Sequence, residues 1–212
     1  MRVDEIFRSI QGEGSRRGRA CCFVRLTGCP LRCRWCDTAY AFHGGTESSI
    51  AQVCEQVDAL GVGMVCVTGG EPLAQDEVHA LMHALLESGH EVVLETSGAL
   101  DARNVDERVI RILDLKAPGS GEVERNHWPT FQDLRATDEI KFVLADRPDY
   151  EWARQTVRDH DFASRAHCVL FSPVHGQLDA RDLAGWMLED DLPVVLQLQE
   201  HKYIWPGVER GI

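Results

Sequence analysis

Cys29, Cys33 and Cys36 crowd three thiols into eight residues, a spacing that lets one loop wrap its sulfurs round a single metal centre. A four-iron cluster normally takes four protein thiolates, so three would leave one iron open to a small molecule, and an open iron implies chemistry rather than scaffolding. The bland alternative is a three-cysteine, one-histidine zinc site recruiting His43, but structural zinc usually comes with two paired knuckles and no second C-x2-C occurs here. A disulfide fits less well, because three close cysteines cannot pair off and nothing marks the chain as secreted. Cys21, Cys22, Cys54, Cys66 and Cys168 lie in apolar segments and read as small hydrophobes.

The elements that must carry this loop follow from the pattern of apolar residues. Ala20 to Leu26 is a β-rich segment, apolar except for Arg25, that runs directly into the cysteines. Ser49 and Gln52 form a capping box ahead of a helix whose apolar face is Ile50, Val53, Cys54, Val57 and Leu60. Strands are expected at Met64 to Val67, Glu91 to Leu94, Val109 to Leu115, Asp138 to Leu144, His167 to Phe171 and Val194 to Leu198. Helices fit Val78 to Leu86, Tyr150 to His160 and Asp179 to Glu189. His79 and His83 read as a solvated flank of the first of these, and the polar stretch from Gly119 to Thr137 has no legible pattern.

Strands alternating with helices imply an α/β fold with a mostly parallel sheet. The unusual polar residues all follow the apolar part of a strand: the cysteines, Thr68 to Glu71, Glu95 to Gly98, Asp114 with Lys116, Ser172 and His201. In a barrel-like sheet those ends share one face, where active sites gather. Loops are polar anyway, but that does not account for glycine pairs and a cysteine loop falling together.

At 212 residues the chain fits one domain spanning 1–212, without a linker. Its 22 basic and 34 acidic residues give a net charge of −12 with no basic tail, so nucleic acid is not an expected partner. The opening Met1 to Glu5 is charged and no run of apolar residues is long enough to span a bilayer, so a soluble, cytoplasmic protein without membrane contact is expected.

The spacing C-x3-C-x2-C, with Trp35 just before its last cysteine, resembles the motif of the radical S-adenosylmethionine superfamily. That resemblance implies a partial (β/α) barrel, a [4Fe-4S] cluster on Cys29, Cys33 and Cys36, and S-adenosylmethionine as cofactor. Gly69-Gly70-Glu71 fits such a ligand: the glycines let backbone approach closely, while Glu71 and exposed carbonyls can receive an ammonium. By the same resemblance Ser97 and Lys116 are candidates for the methionyl carboxylate and ribose, and Asp114 and Ser172 for ribose hydroxyls.

The flanks are similar to those of the 7-carboxy-7-deazaguanine synthases over nearly the whole chain. They comprise Ile6-Phe7, Ile10-Gln11-Gly12-Glu13-Gly14, Arg25, Cys36-Asp37-Thr38, Thr68-Gly69-Gly70-Glu71-Pro72, Glu95-Thr96-Ser97-Gly98 and His201-Lys202-Tyr203. The resemblance implies conversion of 6-carboxy-5,6,7,8-tetrahydropterin to 7-carboxy-7-deazaguanine with loss of ammonia, on the way to queuosine and related nucleosides. It also implies magnesium, a homodimer and an electron donor such as flavodoxin. Gln11, Gly12 and Glu13 match the donor edge of a pterin, Arg25 its carboxylate and His201 its ring, with Thr68 beside them. Thr38 offers a hard oxygen for magnesium and Asp37 can hold one of its waters. Asp114-Leu115-Lys116 stands where some members carry serine-x-lysine, which leaves the ribose contacts open.

Two other functions compete. A glycyl-radical-enzyme activase shares the cysteine motif but must admit a protein loop, whereas Gln11 to Gly14 and His201 suggest a closed pocket. A non-enzymatic metal or redox module would explain the thiols and leave the glycine-glycine-glutamate turn without a purpose.

Overall fold

The computed structural model describes residues 1–212. Its elements run β1 Arg2–Ile10, β2 Ala20–Leu26, β3 Thr46–Glu47, α1 Ile50–Ala59, β4 Met64–Gly69, α2 Val78–Glu87, β5 Glu91–Thr96, β6 Ile110–Asp114, α3 Trp128–Gln132, β7 Glu139–Leu144, α4 Arg147–Asp159, α5 Phe162–Arg165, β8 Cys168–Pro173, α6 Ala180–Glu189, β9 Val195–Leu196 and α7 Glu200–Ile204. All nine strands form one open sheet in the order β3-β1-β2-β4-β5-β6-β7-β8-β9. The pairings from β2 to β9 are parallel, and only β1 joins its neighbours antiparallel.

Local signals in the sequence account for most element ends. Ser49 Oγ accepts from Gln52 N at 3.3 Å while Gln52 Oε1 accepts from Ser49 N at 2.8 Å, closing the capping box of α1. Asp146 and Asp179 cap α4 and α6 through Asp149 N and Arg181 N. Charges interrupt the alternation of β1, so no apolar period marks it in the sequence, and β9 is shorter than its apolar run suggests. The stretch from Gly119 to Thr137 holds two 3-10 turns and the short α3.

Period-two alternation divides the sheet into two faces. Val24, Val65, Val67, Val92, Leu94 and Leu113 face the helices in the larger core. Cys21, Phe23, Cys66, Val93, Ile110 and Ile112 form a second, smaller apolar cluster on the inner face. One step further along four strands the inner face turns polar: Phe23 is followed by Arg25, Cys66 by Thr68, Val93 by Glu95 and Ile112 by Asp114, and on β7 Lys141 joins them. An apolar plug thus floors a ring of charged and hydroxyl groups at the strand C-termini.

Candidate active site

A cavity of about 610 Å³ opens at those strand ends. Gln11, Gly12, Glu13, Arg25, Cys29, Cys33, Cys36, Thr38, Thr68, Gly69, Gly70, Ser97, Asp114, Lys116 and His201 all line it, so most residues singled out from the sequence share one space. Glu95, Lys141, Asp37, Tyr40, Gln199 and Lys202 line it too. Glu95 and Lys141 are not among the site residues expected from the sequence, although a charge near the end of apolar β5 and one inside apolar β7 were the available signals.

Two expected ligand-binding side chains are not on the wall. Glu71 is fully buried and turns back under its own turn, where it caps the 3-10 segment Pro72–Ala74. Its carboxylate accepts from Leu73 N at 2.9 Å, Thr96 Oγ1 at 2.8 Å and Ser97 N at 2.7 Å, and also from Ser97 Oγ. With four donors on two oxygens it has no remaining need for a ligand ammonium; it braces Ser97 instead. Ser172 points to the inner face but is buried, and Val143, Val174 and His175 form the wall on that side. Its Oγ has no hydrogen-bond partner.

Other expected ligand groups are partly engaged already. Arg25 donates Nε to Glu5 Oε1 at 2.8 Å and lies between the rings of Phe7 and Tyr40, at 5.8 and 5.9 Å. Its two Nη groups make no hydrogen bond to protein. Glu13 Oε2 receives Lys141 Nζ at 2.7 Å and Gln197 Nε2 at 3.3 Å, and Oε1 receives Gln199 Nε2 at 2.9 Å. One acceptor position is left on Oε1. Gln11 donates to Glu95 Oε1 at 3.1 Å, and Thr68 donates to Glu95 Oε2 at 3.3 Å.

Burial raises the cost of the Glu13 charge, yet Lys141 and Gln199 outweigh it and hold that carboxyl below its usual range. Glu95 is buried without a direct cation, and burial together with the Glu13 charge lifts its carboxyl above the usual range, against the pull of Lys141 and Arg25. Burial opposes the Lys141 charge as well, but Glu13, Asp114 and Glu95 keep its ammonium well above the ordinary lysine value. Lys116 Nζ lies 3.0 Å from Asp114 Oδ2, while Asp114 Oδ1 is buried and unpartnered.

The cysteine loop is held by backbone. Arg34 N donates to Ser120 O at 3.1 Å, Cys36 N to Cys33 O at 3.2 Å, and Leu31 N to Cys29 Sγ at 3.4 Å. Gly70 abuts the loop so closely that a Cβ there would lie 2.2 Å from Gly28 O and 2.9 Å from Cys29 Cβ. Burial pushes the Cys33 thiol up to about 11, with Lys116 pulling the other way. No three His, Cys, Asp or Glu side chains converge closely enough to share one ion. The thiols instead ring a cavity, which suits a cubane whose thiolates each hold a separate iron. The N–H on Cys29 and the nearby lysine suit sulfurs that carry negative charge.

The open parallel sheet, with its three-cysteine loop at the end of the first parallel strand and a glycine turn at the end of the next, defines a protein of the radical S-adenosylmethionine class; residues 23–118 match the Radical SAM superfamily. Over its full length the chain is 43% identical to the 7-carboxy-7-deazaguanine synthase of Koribacter versatilis, covering all of that protein. It is 45% identical to the one of Chlorobaculum tepidum, covering 97% of it. The chain belongs to the 7-carboxy-7-deazaguanine synthase family. Its fold is shared with the crystal structure of QueE from Escherichia coli, with a TM-score of 0.70 and 22% identity over 93% of this chain and 92% of that one. Streptococcus suis SuiB bound to its precursor peptide SuiA shares the fold more loosely, with a TM-score of 0.61 and 13% identity over 83% of this chain and 47% of that one. Membership implies an iron–sulfur cluster and S-adenosylmethionine.

Proposed function

We propose that this enzyme contracts the ring of 6-carboxy-5,6,7,8-tetrahydropterin to give 7-carboxy-7-deazaguanine and ammonia. The observation that carries this reading is full-length identity to 7-carboxy-7-deazaguanine synthases, 43% over 100% of both chains. The cavity supports it, because acceptors for a guanidine-like edge and a cation for a carboxylate stand in the same space as the three thiols.

In this reading Cys29, Cys33 and Cys36 hold the cluster. Carbonyls of the Gly69–Gly70 turn take the methionyl ammonium that Glu71 cannot reach, and Lys116 serves the methionyl carboxylate and ribose; Ser97, whose N–H and hydroxyl proton both go to Glu71, offers only its Oγ as an acceptor to the ribose, and the unpartnered Asp114 Oδ1 accepts from a ribose hydroxyl. The cluster and S-adenosylmethionine, when bound, supply hydrogen-atom abstraction from carbon. The chain's own residues orient the substrate and keep water away. Arg25 offers its two Nη groups to the pterin carboxylate while Glu5 fixes its Nε, and the remaining acceptor positions on Glu13 and Glu95 receive the N–H edge. His201, kept neutral by burial, packs over Gly12 and hydrogen-bonds the ring. Thr38 Oγ1 holds a hydrated magnesium ion, with Asp37 already anchored by Lys202 at 2.9 Å and Gln199 at 3.1 Å. The whole chain works as one domain, in a homodimer in the cytoplasm, with flavodoxin or a similar protein as reductant. No helix is long and apolar enough to cross a membrane.

α7 and the segment that follows favour a small molecule over the protein loop of an activase. Glu200 N donates to Gly12 O at 3.1 Å, and Val208, Glu209 and Ile212 line the cavity. Anaerobic reconstitution, followed by reductant, S-adenosylmethionine and the carboxytetrahydropterin, should yield the deazaguanine acid and ammonia by mass. S-adenosylmethionine cleavage without pterin turnover would return the activase reading.

A further inference from the structure

One cation in the polar ring has no ligand to hold in the reading above. Lys141 lies in register with Asp114 on the neighbouring strand, and its side chain is 12% exposed. Its Nζ stands 2.7 Å from Glu13 Oε2 and 3.6 Å from Asp114 Oδ2. Glu13 belongs to the pterin half of the cavity and Asp114, with Lys116, to the cofactor half. Asp114 Oδ2 is shared between Lys141 and Lys116, whereas Oδ1 faces no donor of the protein. The remaining charges around Lys141 are Glu95 on β5, Arg25 on β2, Asp37 in the cysteine loop, and His201 and Lys202 on α7.

An ammonium divided between two carboxylates transmits a change at one to the other. When a hydroxyl donates to Asp114 Oδ1, part of that carboxylate's negative charge is satisfied and its hold on Lys141 weakens. The ammonium then commits to Glu13, whose other contacts are the amides of Gln197 and Gln199, and the acceptor position left on Glu13 Oε1 becomes fixed. We propose that Lys141 is a positioning residue that couples the two halves of the cavity, so that pterin and S-adenosylmethionine each bind the protein loaded with the other more tightly than the empty one. The proposal rests on the assignment of Glu13 to the pterin and Asp114 to the cofactor. Linkage makes the coupling reciprocal, so either ligand can report it.

The experiment is calorimetric titration of the anaerobically reconstituted holoprotein with the carboxytetrahydropterin, without reductant, in the absence and presence of saturating S-adenosylmethionine. The parent should bind the pterin about fivefold or more tightly when the cofactor is present, the lower end of ordinary coupling. In Lys141→Met that ratio should fall to about one, and Lys141→Arg should restore part of it. A lysine that merely supports the fold would weaken both titrations and leave their ratio alone. Should Lys141→Met lose its iron or its cooperative melting, Glu13→Gln keeps the shape while removing the charge that Lys141 holds, and must likewise bring the ratio to about one. An unchanged ratio in the folded variant, or no coupling in the parent, overturns the proposal alone. A parent that binds no pterin in either titration removes the substrate assignment, and the coupling with it.

Discussion

Glu71 and the three loop cysteines belong to motifs of similar prominence, yet their side chains have opposite fates. All four donors to Glu71 come from the protein, and none of its surface reaches solvent. Glu71→Ala should therefore cost about 2–4 kcal/mol of folding stability, from Ser97 and Thr96 donors left unpaired, seen as a lower midpoint in urea. An unchanged midpoint with cofactor binding lost would return Glu71 to the ligand. Cys29, Cys33 and Cys36 are partly exposed on the cavity and have few packing duties. Changing any one to Ala should abolish iron incorporation, whereas Cys54→Ala should keep full iron at a cost of about 1 kcal/mol. Iron lost equally from Cys54→Ala would contradict the ligand set.

At the scale of elements, the site depends on close approaches between loops. Gly70 lets the turn after β4 press against the cysteine loop, and a methyl group there meets backbone at Gly28, which cannot yield cheaply. Gly70→Ala should lower iron content and cofactor affinity together although it ligates no iron, and metal analysis beside equilibrium binding would expose a mere surface effect. Gly12 makes the corresponding approach to α7, where an added Cβ would lie 2.5 Å from His201 Nδ1. Burial lowers the His201 pKa from 6.5, so the unfolded chain takes up its proton first. The contribution of His201 is thus fully present above the unfolded value, declines as pH falls through 6.5, and levels off below the folded value. Urea midpoints taken from neutral to mildly acid pH should fall in that window, and His201→Gln should flatten the decline; an identical slope in the variant would place the titration elsewhere.

Across the whole molecule, the two ends of the parallel sheet divide the work. At the strand N-termini Arg111 and Asp138 form a fully buried pair, with Nε and Nη2 donating at 2.9 and 2.5 Å. Arg111 also ties down the carbonyls of Ala102 and Asp133, and Asp138 accepts from Arg135 N. Asp138→Ala leaves a buried guanidinium partly unpaired and should cost about 3–5 kcal/mol, while the folded variant binds cofactor as the parent does. A matching loss of cofactor affinity would mean that the two ends are coupled. Charge at the opposite end lines the cavity: Glu13, Lys141, Asp114 and Lys116 are bridged to one another, and they stand above the apolar plug of Phe23, Cys66 and Ile112.

By itself the sequence determined the alternation of strands and helices, the capping of α1 and α6, the cysteine loop, and the gathering of polar residues at strand ends. Each of these rests on local spacing: periods of two and 3.6, a cap three residues from its partner, thiols within one loop. What lay out of reach was partnership across the chain. Glu71 and Glu13 look equally available as acceptors in a linear sequence; only folding brings Thr96 and Ser97 onto the first and Lys141, Gln197 and Gln199 onto the second. In the linear sequence Lys141 is only a charge within an apolar strand, because its meaning depends on a loop more than a hundred residues away. A buried carboxylate takes its role from the donors that reach it, and only tertiary structure decides which donors those are.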